Sequence, residues 1–316
     1  MINFVLSKSG NYGLVQQTLL TSIATHLDRR HWTASIEIAR EGCLNFSLFV
    51  RQPAHVVMSH GVADKNYFTV ADDNGEFYAN RLRALFVPGA WLKRKLVAHP
   101  DLRLGEDQIH SVGWPRLDLL RQLAQSRPKT GTARRKRILW APTHDFRKRG
   151  PERLSTSSYP AFAQHLPALE RDFEVAVSVH PRNRAEKKPT DVALLDADVV
   201  ISDFGTLVYE AWALGKPVIF PRWILGDRIQ EYLPGSAEAH IFASRLGHHP
   251  ASMEELLEML RGPLAIGADV ERFMSDYIDN YSGAASGPRI ARLLERLDAA
   301  GLGAGAPVAD FCVSAE

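Results

Sequence analysis

The chain of 316 residues is long enough for two domains of ordinary size, each burying its own core. Hydrophobic residues make up 45% and Asp, Glu, Lys and Arg 23%, which excludes both a disordered chain and a disulfide-stapled scaffold. With 38 Lys and Arg against 36 Asp and Glu, the formal charge of +2 excludes a protein that grips duplex phosphates along its length, so anion binding has to be local.

The opening apolar run, Met1 to Leu6, is followed at once by Ser7-Lys8-Ser9-Gly10 and reads as a first strand, not a signal peptide. Short Val-, Ile- and Phe-rich runs then alternate with longer helical patterns, the signature of βα units around largely parallel sheets. In a first set the spacing predicts strands at 3–6, 54–58, 84–87 and 109–112, with a helix over 14–27 whose apolar face carries Leu19, Leu20, Ile23 and Leu27. Residues 125–136, with Pro128, Gly131 and several basic side chains, read as a linker. A second set follows: strands at 137–140, 173–179, 199–202 and 217–220, with helices at 161–171, 207–214 and 253–261. The Ala- and Gly-rich tail at 300–316 is expected to fray.

Cys43 and Cys312 are far apart and have no C-x-x-C partner, so neither a zinc site nor a redox pair is indicated, and a reducing compartment fits. No stretch approaches the roughly 18 apolar residues of a membrane-spanning helix, so membrane contact would be peripheral.

Open parallel sheets bind ligands beyond the carboxyl ends of their strands, where loops and helix N-termini gather. In this chain those ends read Ser59-His60-Gly61, Gly113-Trp114-Pro115-Arg116, Pro142-Thr143-His144, His180-Pro181-Arg182 and Ser202-Asp203-Phe204-Gly205-Thr206. The last runs from a strand through a tight turn into a helix, whose first amides at Gly205, Thr206 and Leu207, with the Ser202 and Thr206 hydroxyls, could hold a diphosphate. The plainer alternative is that Ser202 and Asp203 only cap that helix. His60 can serve as a general base near neutral pH or be a packed core histidine. His180, with Arg182, can neutralise charge on a phosphoryl oxygen or sit in a solvated basic loop. Asp64 and Lys65 could orient His60 or touch an acceptor, and Trp114 could form a cleft wall. No ligand pair at fixed helical spacing demands a metal.

In order along the chain, these segments resemble the CDP-glycerol glycerophosphotransferase family, the teichoic-acid polymerase and primase group. The matching blocks are Ser59-His60-Gly61, Gly113-Trp114-Pro115-Arg116-Leu117-Asp118, Ile138-Leu139-Trp140-Ala141-Pro142-Thr143, His180-Pro181, the turn at 202–206, and Tyr281-Ser282-Gly283-Ala284-Ala285-Ser286. Two blocks depart: the usual Asp-Tyr-Ser-Ser reads Asp203-Phe204-Gly205-Thr206, and Thr143 is followed by His144-Asp145-Phe146-Arg147.

The resemblance implies an α/β fold of two Rossmann-like lobes, GT-B-type, facing each other across a cleft, with a C-terminal helix. The first lobe, 1–124, would take the acceptor, and the second, 137–299, the nucleotide donor and the terminal helix. It further implies a transferase that moves a glycerophosphate-type group from a CDP-activated donor to a hydroxyl of a cell-surface glycan or polymer, in the cytoplasm at or near the inner membrane face. His60 would be the catalytic base and His180 the histidine at the donor phosphates. Thr143, His144, Arg182, Ser202, Asp203, Gly205, Thr206 and Glu210 would bind the donor, and Ser59, Gly61, Trp114 and Arg116 would line the acceptor side. No cofactor is required, although Mg²⁺ could accompany the diphosphate, and no nucleic acid partner is expected. The alternatives are a nucleotide-sugar glycosyltransferase of the same two-lobed class, for which the Tyr209-to-Pro217 segment is equally suited, and a non-catalytic glycan- or polyanion-binding module.

Overall fold

A computed structural model describes residues 1–8, 13–127, 135–143, 155–179, 190–283 and 285–303. By its internal contacts the chain divides into two units: residues 1–62, 66–119 and from Ser275 onward, and residues 63–65 with 120–274.

The first unit opens with β1 (Ile2–Leu6), α1 (Gly13–Ala24), β2 (Trp32–Ile36), β3 (Leu44–Ser47), β4 (Val56–Met58), β5 (Ala84–Val87), α2 (Ala90–Val97), β6 (Ile109–Ser111) and the start of α3 (Pro115–Ser126). Its strands form a six-stranded sheet in the order β2-β1-β3-β4-β5-β6, every neighbouring pair parallel. Residues of β3, β4 and β5 are buried throughout, as expected of a parallel sheet covered on both faces. The spacing predicts β1, β4, β5 and β6 but not β2 or β3. In β2 only the edge of the sheet is occupied, and Thr33, Ala34 and Ser35 break its apolar run. In β3, Asn45 and Ser47 are buried polar residues, a pattern that reads as a loop. Asn45 is satisfied by Asn3 Nδ2 at 2.8 Å and by the carbonyls of Arg40 and Cys43, which is how the core tolerates it.

The second unit comprises β7 (Arg137–Ala141), α4 (Leu166–Asp172), β8 (Glu174–Val177), α5 (Asp191–Asp196), β9 (Val199–Ser202), α6 (Thr206–Ala213), β10 (Val218–Ile219), α7 (Arg222–Leu225), α8 (Arg228–Tyr232), α9 (Ala237–Ala243), α10 (Met253–Arg261) and most of α11 (Ala268–Tyr277). Four parallel strands pair in the order β10-β9-β7-β8. Ile138, Trp140, Val199, Ile201 and Ile219 of the sheet meet Phe162, Leu256 and Leu260 in one core. α10 forms where expected: Ser252 caps it by accepting the Glu255 N–H, acidic residues fill its first turn and Arg261 its last, and Leu256 and Leu260 share one buried face. The single helix expected at 161–171 is instead a 3-10 turn, Ala161–His165, followed by α4, which starts Leu166-Pro167. Proline fits the first turn of a helix but not its middle, so the two segments cannot run on as one.

The stretch expected as a linker is anchored at both ends. α3 continues to Ser126, Arg127 pairs with Asp196 at 2.6 Å, and Lys136 Nζ donates to the carbonyls of Leu260 and Gly262. Residues 128–134 lie outside the described residues. The last helix, α12 (Ser286–Ala299), expected with the second lobe, groups with the first unit, where it lies on α1, β1 and β3. Gly287 lets it approach, since a Cβ there would lie 2.3 Å from the Ser22 carbonyl oxygen, and the amine of Met1 pairs with Asp298 at 2.7 Å.

Candidate functional site

In the second unit the chemistry gathers at the carboxyl ends of β7 and β9. Ala141 and Ser202 are in register, and the Ser202 hydroxyl donates to the Ala141 carbonyl at 2.8 Å, joining the two strand ends. Asp203 is fully buried, and its Oδ2 accepts the N–H groups of Thr143 at 2.9 Å and Ser158 at 3.0 Å. Burial pushes its carboxyl up to about 6, against the pull of the bonds from Ser158 and Thr143. Ser157 Oγ donates to the Thr143 carbonyl at 2.8 Å, so Thr143 is held through both backbone groups. The Ser202 proton is thus engaged inside the sheet, and Asp203 braces the β7 end; neither contact is the helix cap that a strand–turn–helix reading suggests.

Gly205, at the N-cap of α6, has φ +100°, a backbone region that side chains disfavour. It offers no side chain to close the first-turn amides of α6. A Cβ at this position would lie 3.1 Å from Lys65 Nζ, 3.2 Å from Lys65 Cε and 4.0 Å from Thr143 Oγ1. Lys65 Nζ also stands 5.0 Å from the centre of the Phe204 ring, a cation–π distance. Gly205 therefore leaves room for an ammonium group, and Phe204 offers it a ring face. Glu210, one helical turn beyond Thr206, is buried.

In the first unit Ser59 Oγ accepts the Gly61 N–H at 3.2 Å, which closes the turn after β4. His60 is half-buried. Its ring stacks on Phe49 with centroids 4.9 Å apart and meets the Tyr67 ring edge-on at 5.4 Å. Tyr67 is itself tied down: its hydroxyl accepts from Val50 N–H at 2.9 Å and donates to the Leu48 carbonyl at 3.1 Å. Loops following β3 and β4 thus fix the imidazole plane by aromatic packing.

Trp114 belongs to a different construction. Trp114 is buried, at 3% exposure, and Arg116 half-buried. The Trp114 backbone exchanges bonds with the Asn280 side chain, at 2.7 Å and 3.1 Å. Asn280 Nδ2 also donates to Asp118 Oδ1 at 2.9 Å, and Asp118 Oδ2 accepts the Ser286 N–H that opens α12 at 2.7 Å. The blocks at 113–118 and 281–286 are therefore the two halves of one joint between α3 and α12. Gly113, at φ +83°, lets Asn280 approach.

His144, His180 and Arg182 lie outside the described residues. From the sequence Asp64 and Lys65 could orient His60 or touch an acceptor, whereas the contacts of Lys65 group it with the second unit at the start of α6. It missed Glu238 altogether: Ser236-Ala237-Glu238-Ala239 reads as an ordinary solvated helix start, yet Glu238 is 1% exposed. Among the described residues no group of three His, Cys, Asp or Glu could hold a metal ion, and no helix is long and apolar enough to cross a membrane.

Two parallel α/β units with added C-terminal helices define a GT-B-type, two-Rossmann-domain architecture. Among solved structures, the wall teichoic acid polymerase TagF matches with a TM-score of 0.55 and 14% identity over 95% of this chain and 90% of that one. The UDP-GlcNAc 2-epimerase of Methanocaldococcus jannaschii, in complex with UDP-GlcNAc and UDP, matches with a TM-score of 0.52 and 13% identity over 93% and 99% of the two chains. No family model and no curated protein sequence matches the chain. At these identities the likeness is one of fold.

Proposed function

We propose that this protein is a nucleotide-diphosphate-dependent transferase that moves a glycerophosphate-type group from a CDP-activated donor to a hydroxyl of a glycan or polyol-phosphate acceptor. The observation that carries the reading is the start of α6, where a left-handed glycine, first-turn amides, the Lys65 ammonium and the Thr143 hydroxyl meet. Such a group of donors suits a diphosphate. The fold is shared with a wall teichoic acid polymerase and with an epimerase seen in complex with UDP-GlcNAc and UDP, which supports a nucleotide-activated donor.

In the proposed step the acceptor oxygen attacks the phosphorus of the glycerophosphate group, the bond from that phosphorus to the CMP oxygen breaks, and CMP leaves. His60 takes the hydroxyl proton. Charge on the transferred phosphoryl oxygens is met by the α6 amides and, as the family resemblance implies, by His180 and Arg182. Positioning and electrostatics supply most of the acceleration in such a displacement. Donor contacts are assigned to Thr143, Gly205 and Thr206; Ser202 and Asp203 act by holding that turn in shape. An inner-membrane location would give access to an acceptor attached to lipid.

The complex of the epimerase with UDP-GlcNAc and UDP favours a second reading, transfer of a sugar from a UDP-linked donor. Incubation with CDP-glycerol, UDP-sugars and CMP-sugars, with the released nucleotide identified, separates the two. CMP from CDP-glycerol supports phosphoryl attack, and UDP from a UDP-sugar supports glycosyl transfer. No nucleotide released and none bound leaves a glycan-binding module and overturns the transferase reading.

A further inference from the structure

We propose that β2, the outer strand of the first unit's sheet, is a dimerisation edge: a second copy of this chain adds its own β2 antiparallel to it about a two-fold axis through Ala34, so that the two six-stranded sheets run on as one. The proposal is independent of the donor reading above.

The edge is open and unguarded. β2 pairs with β1 on one side, and no strand lies beyond it among the described residues. The Glu37 N–H donates to the Leu6 carbonyl at 2.8 Å, so by the alternation of a strand the main-chain groups of Thr33 and Ser35 also face β1, while those of Trp32, Ala34 and Ile36 face outward. Exposed edges are usually blunted by a charge, a proline or a bulge within the strand, and Trp32-Thr33-Ala34-Ser35-Ile36 holds none of these. The outward carbonyls of Trp32 and Ala34 are met by exposed arginine side chains, Arg29 at 3.2 Å and Arg40 at 3.4 Å, contacts that the N–H groups of another strand can replace. Ile36 and Ile38, at 60% and 65% exposure, are the two most exposed large apolar side chains among the described residues, and both stand at this edge. One exposed isoleucine is ordinary, but two beside an outward row of main-chain donors and acceptors mark a surface that another strand covers.

The edge is complementary to itself, which is what selects a second copy. With Ala34 on the two-fold axis, Ala34 faces Ala34 of the second copy and Trp32 faces its Ile36, so each outward N–H of one strand meets an outward carbonyl of the other. Trp32, set edge-on against Phe4 with ring centres 5.6 Å apart, then packs beside an isoleucine, a favourable cross-strand pair. The charges fix the direction. Arg29 and Arg30 precede the strand and outnumber Asp28, whereas Glu37 and Glu41 follow it and outnumber Arg40. A parallel partner would bring the two Arg29-Arg30 pairs together; an antiparallel one sets each pair beside the acidic end of the other copy. Lys8 already lies 3.2 Å from Glu37, so Glu41 supplies most of that attraction. Glu37, at φ 54°, turns the chain away from the edge, which confines the pairing to β2.

The test is analytical ultracentrifugation of the full chain over a range of concentrations, together with hydrogen exchange of the β2 amides. Wild type is expected to dimerise, with the Trp32, Ala34 and Ile36 amides slow to exchange. Ala34→Pro deletes the N–H on the axis, and proline is tolerated where an edge strand faces outward, so the variant should fold. It should raise the dimer dissociation constant about tenfold to a hundredfold, the worth of the two main-chain bonds lost per dimer. In it the Trp32 and Ile36 amides should exchange faster, while Thr33 and Ser35, bonded to β1, stay protected. Ile36→Lys, which places a charge on the edge, should weaken the dimer about tenfold or more, and it decides the matter if Ala34→Pro loses the protection of Thr33 and Ser35 and so proves misfolded. A wild type that stays monomeric overturns the proposal, and slow outward amides in such a monomer would mean that another segment of the chain covers the edge. A dimer whose outward amides exchange freely, or one that a folded variant leaves unweakened, has its interface elsewhere and overturns it equally.

Discussion

The turns after β4 and β9, one in each unit, both carry polar side chains, and they dispose of them in opposite ways. After β4, Ser59 closes the turn on itself and two aromatic contacts fix the plane of His60, so a side chain is what the turn presents. After β9, Ser202 and Asp203 are drawn inward to tie β9 to β7 and to the loop at 157–158. What that turn presents is backbone, at Gly205 and the first residues of α6, with a lysine imported from a segment far away in sequence. The difference teaches that similar parallel sheets can present different groups, and under the proposed function it suits two tasks: a base with its ring held in place, and an anion site with uncapped amides and a charge beside them.

The comparison predicts a division of effects. Under the proposed function His60→Ala should lower kcat by about two to four orders of magnitude, the usual worth of a general base, while binding of CDP or UDP is retained. Equal loss of kcat and nucleotide binding would place His60 in the donor site instead. Gly205→Val should do the reverse, weakening CDP or UDP binding by about tenfold to a hundredfold as Lys65 is displaced and the left-handed backbone is strained. Titration calorimetry on both variants checks the pair, and unchanged binding in Gly205→Val would refute the anion site.

Stability separates the inward-facing residues from the presented ones. Asp203→Ala leaves the buried amides of Thr143 and Ser158 without an acceptor and should cost about 2–4 kcal/mol in urea denaturation. Ser202→Ala loses one hydroxyl bond and should cost only about 1 kcal/mol. A similar small cost at both positions would mean that Asp203 is not the brace described.

The smallest effect concerns pH. Asp203, raised to about 6, favours the folded state in acid, and this contribution is lost as pH rises from its usual 3.8 through about 6. His249 stacks on Phe220 with ring centres 4.8 Å apart, donates Nε2–H to the Leu246 carbonyl, and is lowered by burial to about 4. Its contribution is present above about 6.5 and lost as pH falls toward about 4. Both groups lie in the second unit, and their slopes oppose each other over the shared window. Asp203→Asn should therefore make the loss of stability on acidification steeper than in wild type, by about 1 kcal/mol or more. A slope unchanged from wild type would argue against the raised Asp203 carboxyl.

Much of the fold was legible because parallel strands buried on both faces are short apolar runs, as at β5, β7 and β9. The exceptions have physical causes. β3 carries Asn45 and Ser47, whose burial makes sense only once Asn3, Arg40 and Cys43 supply partners to the first and Gln52 and the Phe49 N–H to the second. Among site residues, His60 and Gly205 stood out through glycine and polar chemistry at a strand end. Lys65 was legible only as a neighbour of His60 and Glu238 not at all, since a lysine in a loop and a glutamate in a first helical turn usually signify a solvated surface.

Local composition alone therefore determined that the chain makes two α/β sets and which turns end their strands, because periodicity and turn chemistry act between neighbours. Tertiary structure alone decided that α12 returns to the first unit, that Asp203 braces rather than caps, and that Lys65 reaches the start of α6. Each of these depends on a hydrogen bond or close approach between residues far apart in sequence, where no local preference can specify the partner.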